Sequence, residues 1–227
     1  MPVNNDPIVP YGIPKPGGGT RRMAILSEPD AARWHGVAGR VAGVLEARLG
    51  PAALGNRARV GREGWRLRAF RPALRRARTA AGRLGAQAKL MVRTDIAEFY
   101  PSVTPSVVAR SLEALGCDPS DARLAAELVE GWGSDGYRGL PIGPPGSAVV
   151  ANAVLQAADE ALAPLPFLRW VDDYLIACAA ELPARCALER LDEALEALGL
   201  SRSERKTRLE TRPRAIRWPG GSSLATA

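Results

Sequence analysis

Apolar residues recur along this chain at two spacings, and the alternation between them marks out the elements. Between 30 and 49, Val37, Val41, Val44, Leu45 and Leu49 fall on one helical face. The same spacing returns at 183–198, where Leu188, Leu191, Leu195 and Leu198 oppose Glu189, Asp192, Glu193 and Glu196, with Gly199 as the stop. Thr104-Pro105 pairs a capping hydroxyl with a proline at the first helical position, predicting a helix to about 115. Further helices are expected at 119–131 and at 148–162, the latter closed by Pro164. Strand-type alternation covers 90–96 and ends at Phe99-Tyr100-Pro101. A hairpin is expected at 167–178 with Asp172 and Asp173 at its tip, and another at 13–26 around Gly17-Gly18-Gly19. Lys206 is expected on a strand or its lead-in, and 212–218 as one more strand before a frayed tail. Polar, glycine-rich 132–139 reads as loop, and 140–147 holds too many Gly and Pro for regular structure. The mixture predicts an α+β fold.

Composition narrows the partners. The 227 residues are 46% hydrophobic and 24% charged, as in a soluble globular protein with one good core, or two lobes sharing one. No apolar run approaches the ~20 residues of a membrane helix, and the N-terminus lacks the basic and apolar regions of a signal peptide. Cys117, Cys178 and Cys186 form no CxxC pair, so neither disulfides nor zinc are expected, and the cytoplasm is the expected location. The net charge of +7 is unevenly spread: residues 1–94 carry +13 and residues 95–227 carry −6. A basic half beside an acidic one suits a protein that grips phosphates with one and metals with the other. Within the arginine-dense stretch 61–84, Arg66, Arg68, Arg71, Arg75, Arg76 and Arg78 recur at spacings that share a helix face, so they are candidates for a nucleic-acid backbone. Burial is the expected fate of Trp65 and Phe70, and His35, the only histidine, is expected on a helix and not at a metal.

Two adjacent ionised aspartates at a turn repel one another, and a hard divalent cation removes that cost. Asp95, near the C-terminal end of its strand, is the natural third carboxylate for Asp172 and Asp173, and such a set can hold two metals for in-line attack at phosphorus. The basic hairpin at 13–26 is not a P-loop, because it lacks the GxxxxGK[ST] order and a following helix.

Four motifs, taken in order, carry a family resemblance: Asp95 with Phe99-Tyr100; Gly139-Leu140-Pro141-Ile142-Gly143-Pro144-Pro145-Gly146-Ser147; Val171-Asp172-Asp173; and Leu200-Ser201-Arg202-Ser203-Glu204-Arg205-Lys206-Thr207. Over 11–210 the chain resembles the reverse transcriptases, RNA-directed DNA polymerases. The resemblance implies right-hand fingers and palm, the palm ferredoxin-like with an antiparallel sheet and helices on one face, and a thumb absent or minimal. On that basis 1–94 is the basic fingers region with part of the palm, 95–218 the palm, and 219–227 a flexible tail.

The resemblance also assigns roles. Asp95, Asp172 and Asp173, with the Ile96 carbonyl, would bind two Mg²⁺, for which Mn²⁺ can substitute. Lys15, Arg21 and Arg22 would meet the triphosphate of a dNTP, Gly143 and Ser147 would lie beside it, and Lys206 would protonate pyrophosphate. Tyr100 would exclude a ribose 2′-hydroxyl. The expected partners are an RNA template and a DNA or RNA primer. Ile142 stands where retroviral enzymes carry glutamine. The wording Phe99-Tyr100-Pro101-Ser102-Val103 resembles bacterial abortive-infection and unknown-group enzymes, many linked to phage defence, and the absence of Val-Thr-Gly after Lys206 sets the chain apart from retrons. Little chain follows Glu210 for a thumb, so the expectation is a missing domain, a partner subunit or homo-oligomer that supplies one, or short-product chemistry. Two other readings compete: an RNA-dependent RNA polymerase, disfavoured by Tyr100 and by Val171 where such enzymes carry glycine, and a non-catalytic nucleic-acid-binding subunit on the same fold.

Overall fold

The computed structural model describes residues 5–15, 18–134, 136–211 and 218–219. In chain order the elements are β1 (Val9–Pro14), β2 (Thr20–Ile25), α1 (Glu28–Arg48), β3 (Ala58–Gly61), β4 (Gly64–Leu67), α2 (Phe70–Gln87), β5 (Leu90–Asp95) and α3 (Phe99–Ser102). There follow α4 (Pro105–Ala114), α5 (Pro119–Ser134), α6 (Pro145–Val154), α7 (Gln156–Leu162), β6 (Phe167–Trp170), β7 (Asp173–Cys178), α8 (Glu181–Glu196) and β8 (Arg208–Thr211), with a 3₁₀ turn at Glu204–Lys206. They form two compact units, each assembled from separated segments.

The first unit comprises Met1–Arg48, Arg57–Leu67 and Glu98–Gln156. Its centre is α1, packed against α5 and α6. Trp34, Val37, Ala38, Val41, Ala42 and Leu45 are buried on one stripe, as the spacing predicted, while Val44 is half-buried. Trp34 meets Trp132 edge-on at 5.3 Å, and each indole N–H has a partner: Trp34 donates to Ser147 Oγ and Trp132 to Asp30 Oδ2. Gly146 makes the close approach of Trp34 possible, because a Cβ there would lie 2.7 Å from the Trp34 ring. The small residues of 146–151 therefore accommodate α1. Thr104 caps α4 by accepting from the Val107 N–H. The hairpins β1–β2 and β3–β4 are both antiparallel.

The second unit comprises Leu49–Asn56, Arg68–Ala97 and Ala157–Ala227, and its core is an antiparallel four-stranded sheet ordered β6-β7-β5-β8. The small-residue face of α2 lets it lie close to the sheet, so that Ala77 and Ala81 pack with Met91, Trp170, Leu175 and Trp218. Phe70 is half-buried and meets Trp170 edge-on at 5.8 Å. The alternate residues Val92, Tyr174 and Ile176 are also buried, which burying both faces of β5 and β7 requires. Helix α8 packs on β5 and β7, burying Leu191 and Leu195. Gly199, three residues beyond its end, turns the chain away with a φ of +68°, which a residue with a side chain resists.

Several expected boundaries move. The arginine-dense stretch is not one helix: β4 ends at Leu67 and α2 begins at Phe70. The helix expected at 148–162 begins at Pro145 and breaks at Leu155 into α6 and α7, because proline is tolerated at a first helical turn. Helix α5 runs three residues beyond 131. The strand expected at 212–218 falls almost wholly outside the described residues, as does the tail after Pro219.

Candidate active site

The sheet register brings the carboxylates together. β5 and β7 pair antiparallel so that Asp95 is opposite Asp173, at the end of the ladder. β6 and β7 pair with Trp170 opposite Asp173, so the loop between them has only two residues, Val171 and Asp172. Asp173 therefore belongs to β7 and not to the tip, where the sequence pattern placed it. The difference arises at Val171, whose φ of +57° turns the chain one residue early. Positive φ in a β-branched residue is a genuine outlier. The Ile96 N–H donates to the Asp172 carbonyl at 3.2 Å, fastening the tip to the end of β5.

The electrostatics follow from that geometry. Asp95 and Asp173 are each 4% exposed. The Asp172 carboxyl is pushed from 3.8 up to about 7, first by removal from water and then by the charges of Asp95 and Asp173. Lys206 offsets part of this: its Nζ lies 2.7 Å from Asp95 Oδ1. The lysine arrives on a segment laced to β5, with the Ala97 N–H donating to Ser201 O and the Ser203 N–H to Asp95 O, both at 2.7–2.8 Å. Thr94 and Thr207 share a hydroxyl hydrogen bond, and Arg202 spans Asp192 and Thr207. Lys206 is thus on the 3₁₀ turn leading into β8, in keeping with its expected place.

Carboxylate oxygens are the donors that Mg²⁺ and Mn²⁺ take, and the raised Asp172 shows negative charge crowded into little water. The donor chemistry fits a hard divalent cation. Convergence is less complete: among the described residues, no group of three or more His, Cys, Asp or Glu is drawn together as a metal-holding set. Asp95 Oδ1 is engaged by Lys206 Nζ at 2.7 Å.

A second network, with no counterpart in the motifs, lies beneath the tip. Arg169 is 0% exposed and forks onto Asp159 of α7 through Nε and Nη2 at 2.7 and 2.6 Å. The Tyr174 hydroxyl donates to the same Asp159, and Arg169 Nη1 donates to the Val171 carbonyl at 3.1 Å. Burial alone would lower the Arg169 pKa, and Asp159 and Tyr174 more than offset it, so the guanidinium stays charged. The only sequence signal was an arginine inside the apolar run Phe167-Leu168-Arg169-Trp170; its partner on α7 was not readable.

In the first unit, Lys15 is exposed at the β1–β2 turn, its N–H donating to Gly19 O. Arg21 is half-buried, and Arg22 is exposed over the Tyr137 ring at 5.2 Å. Tyr137 ties this hairpin to the 139–143 loop: its hydroxyl donates to Arg22 O and accepts from the Ile142 N–H, while the Ala24 N–H donates to Ile142 O. Gly143 is exposed, with a φ of +127°. Ser147, expected beside the nucleotide, is instead 1% exposed and engaged with Trp34, because α1 packs over it. Tyr100 is half-buried in α3, stacked edge-on with Phe99 at 5.4 Å, and its carbonyl accepts from the Leu140 N–H. A Cβ on Gly139 would collide with that carbonyl.

The arginines of α2 (Arg71, Arg75, Arg76, Arg78 and Arg83) are all exposed, opposite its packed alanine face. On the β3–β4 hairpin, exposed Arg66 stands directly opposite exposed Arg59. Like charges so placed destabilise a hairpin unless an anion bridges them. Arg68 is exposed between the two elements.

A four-stranded antiparallel palm carrying paired aspartates at one end, with a basic hairpin unit, defines a polymerase of the right-hand class. The chain belongs to the reverse transcriptase (RNA-dependent DNA polymerase) family, whose model matches residues 62–222. Among solved structures it is similar to apo telomerase of Candida tropicalis, with a TM-score of 0.63 and 11% identity over 92% of this chain and 45% of that one. It is also similar to the telomerase of Candida albicans in complex with a TWJ fragment of telomeric RNA, with a TM-score of 0.60 and 13% identity over 95% of this chain and 43% of that one. At that identity the likeness shows the fold, and this chain spans less than half the length of either. No curated protein matches. Among the described residues no helix is long and apolar enough to cross a membrane.

Proposed function

We propose that this chain adds deoxynucleotides to a primer 3′-hydroxyl on an RNA template. The observation that carries the proposal is the register that sets Asp95 against Asp173, with Asp172 at the adjoining tip, in a chain of this family. Asp95, Asp172 and Asp173, with the Ile96 carbonyl, would hold two Mg²⁺ or Mn²⁺ ions. Bound there, the ions supply charge neutralisation and a lowered pKa for the attacking hydroxyl. Lys206, with its ammonium beside Asp95, is suited to leave that carboxylate and give a proton to departing pyrophosphate.

Lys15, Arg21 and Arg22 would neutralise the triphosphate, with the Gly143 backbone open to it, and Tyr100 would sit under the sugar. Burial of Ser147 leaves it a packing role. The solvent-facing arginines of α2, and Arg66 and Arg68, would follow the nucleic-acid backbone without reading bases. The Phe99-Tyr100-Pro101-Ser102-Val103 wording supports a place among bacterial abortive-infection enzymes, acting in the cytoplasm against phage.

The test is incorporation of labelled dNTP and NTP by the purified chain with Mg²⁺ or Mn²⁺, with and without a primed RNA template. Template-dependent dNTP addition is expected. Template-dependent NTP addition would make it an RNA polymerase, and no addition under any condition would leave a nucleic-acid-binding subunit. For the defence role, plaque formation on bacteria expressing wild type should fall relative to Asp172→Asn; equal plating would remove that role.

A further inference from the structure

We propose that Arg169, Asp159 and Gly55 form a positioning device that holds Val171 in its left-handed conformation and so aims Asp172; the inference rests on the polymerase reading above. A β-branched residue at φ +57° is strained, and such strain persists only where the surroundings over-determine it. Two contacts do so here. Arg169 Nη1 grips the Val171 carbonyl from two residues back. From the other side, the backbone of Gly55 closes on the turn, where a Cβ would lie 2.8 Å from the Val171 nitrogen and 3.3 Å from the Trp170 carbonyl carbon.

Both contacts are themselves anchored. The Arg169 fork is locked by two hydrogen bonds to Asp159, to which Tyr174 adds a third. The 52–54 segment lies along β6 as an extra parallel edge, with Arg169 N–H donating to Ala52 O and Leu54 N–H to Arg169 O, both at 2.8 Å. Gly55 is the end of that edge. A fully buried ion pair is a poor source of stability, since apolar residues of similar volume often serve as well or better. Its use here is directional: it delivers a fixed donor to one carbonyl of the turn that bears Asp172. None of the three residues is a metal ligand; all act through Val171.

The test removes the network as a unit. The variant Asp159→Leu, Arg169→Met, Tyr174→Phe removes both buried charges and the hydroxyl that joins them together, so its unfolding midpoint should stay at or above that of wild type. Its kcat for dNTP addition should fall about 10- to 100-fold with KM little changed, the cost of misplacing a reacting geometry by about 1 Å. Adding Val171→Gly, for which the left-handed conformation is unstrained, should recover most of that activity, a rescue no purely structural role predicts. Gly55→Ala, which leaves the ion pair intact, should lower kcat in the same way.

A second readout does not depend on polymerisation. Hydrogen exchange across 170–173 should quicken about tenfold in the triple variant while the β5–β7 ladder keeps its protection. Unchanged exchange overturns the device whether or not the wild type polymerises. An inactive wild type with quickened exchange overturns only the polymerase reading. If the triple variant does not fold, Gly55→Ala decides: unchanged kcat and unchanged exchange there overturn the proposal, as does failure of Val171→Gly to restore a folded triple variant.

Discussion

Asp95 and Asp173 face each other as the last pair of the β5–β7 ladder. Two carboxylates in that relation destabilise the sheet end, and Asp172 adds a third at the tip. A fold that tolerates this arrangement has given up stability for a concentration of negative charge. Lys206, 2.7 Å from Asp95, relieves only part of it.

Neutralising one member should therefore separate stability from activity. Asp95→Asn or Asp172→Asn should lower dNTP addition about a thousandfold or more, since several kcal/mol of transition-state stabilisation go with the charge. The unfolding midpoint without divalent cations should hold or rise. Turnover within a few-fold of wild type would show that the carboxylates do not act as a set.

The raised Asp172 carboxyl makes a pH prediction. Its value is about 7 in the folded chain against 3.8 ordinarily, so between these limits the folded state keeps a proton that the unfolded state has released. Its contribution to stability is fully present below about pH 4 and is lost as pH rises through about 7. Without divalent cations, the difference in unfolding midpoint between wild type and Asp172→Asn should shift against wild type over that window. Added Mg²⁺ should stabilise wild type more at alkaline than at acid pH, because metal and proton compete for the same oxygens. Parallel pH profiles for the two proteins would remove Asp172 as the titrating group.

Arg71, Arg75 and Arg78 lie on one exposed stripe of α2. Changing all three to alanine should weaken binding to unrelated RNA sequences alike and flatten the salt dependence by about one unit of slope for each phosphate that is no longer neutralised. The fold should be unaffected, since the packed face is Ala77 and Ala81. Binding isotherms at several salt concentrations would measure this, and an unchanged slope would leave α2 as a solvated helix.

For Tyr100 the quantity to measure is the ratio of kcat/KM for dNTP over NTP. Tyr100→Val should lower it by admitting the 2′-hydroxyl, by more than the ~1–3 kcal/mol worth of one methylene. The substitution keeps the backbone carbonyl that holds Leu140, so the 139–143 loop should stay in place. An unchanged ratio would reduce Tyr100 to a packing partner of Phe99.

Local signals carried far in this chain because they depend on neighbours in sequence. The apolar stripe of α1, the Thr104 cap, the Gly199 stop and the strand ending in Asp95 all follow from periodicity and from which residues tolerate which backbone angles. The choice of Asp95, Asp172, Asp173 and Lys206 as candidates came from residue types and their order in motifs that resemble those of the family. Tertiary structure alone decided three other things. Gly146 and Ser147 lie against Trp34, more than 100 positions earlier in the chain, a contact set by how the helices pack. The turn begins at Val171 instead of Asp172, because Arg169 and Gly55 stabilise a backbone angle that valine by itself avoids. And Arg169 could be seen as out of place in an apolar strand, yet its meaning required Asp159, brought to it by α7. Side chains that act through distant partners leave no periodic trace, since the spacing between them is set by how the elements pack and not by the repeat of any one element.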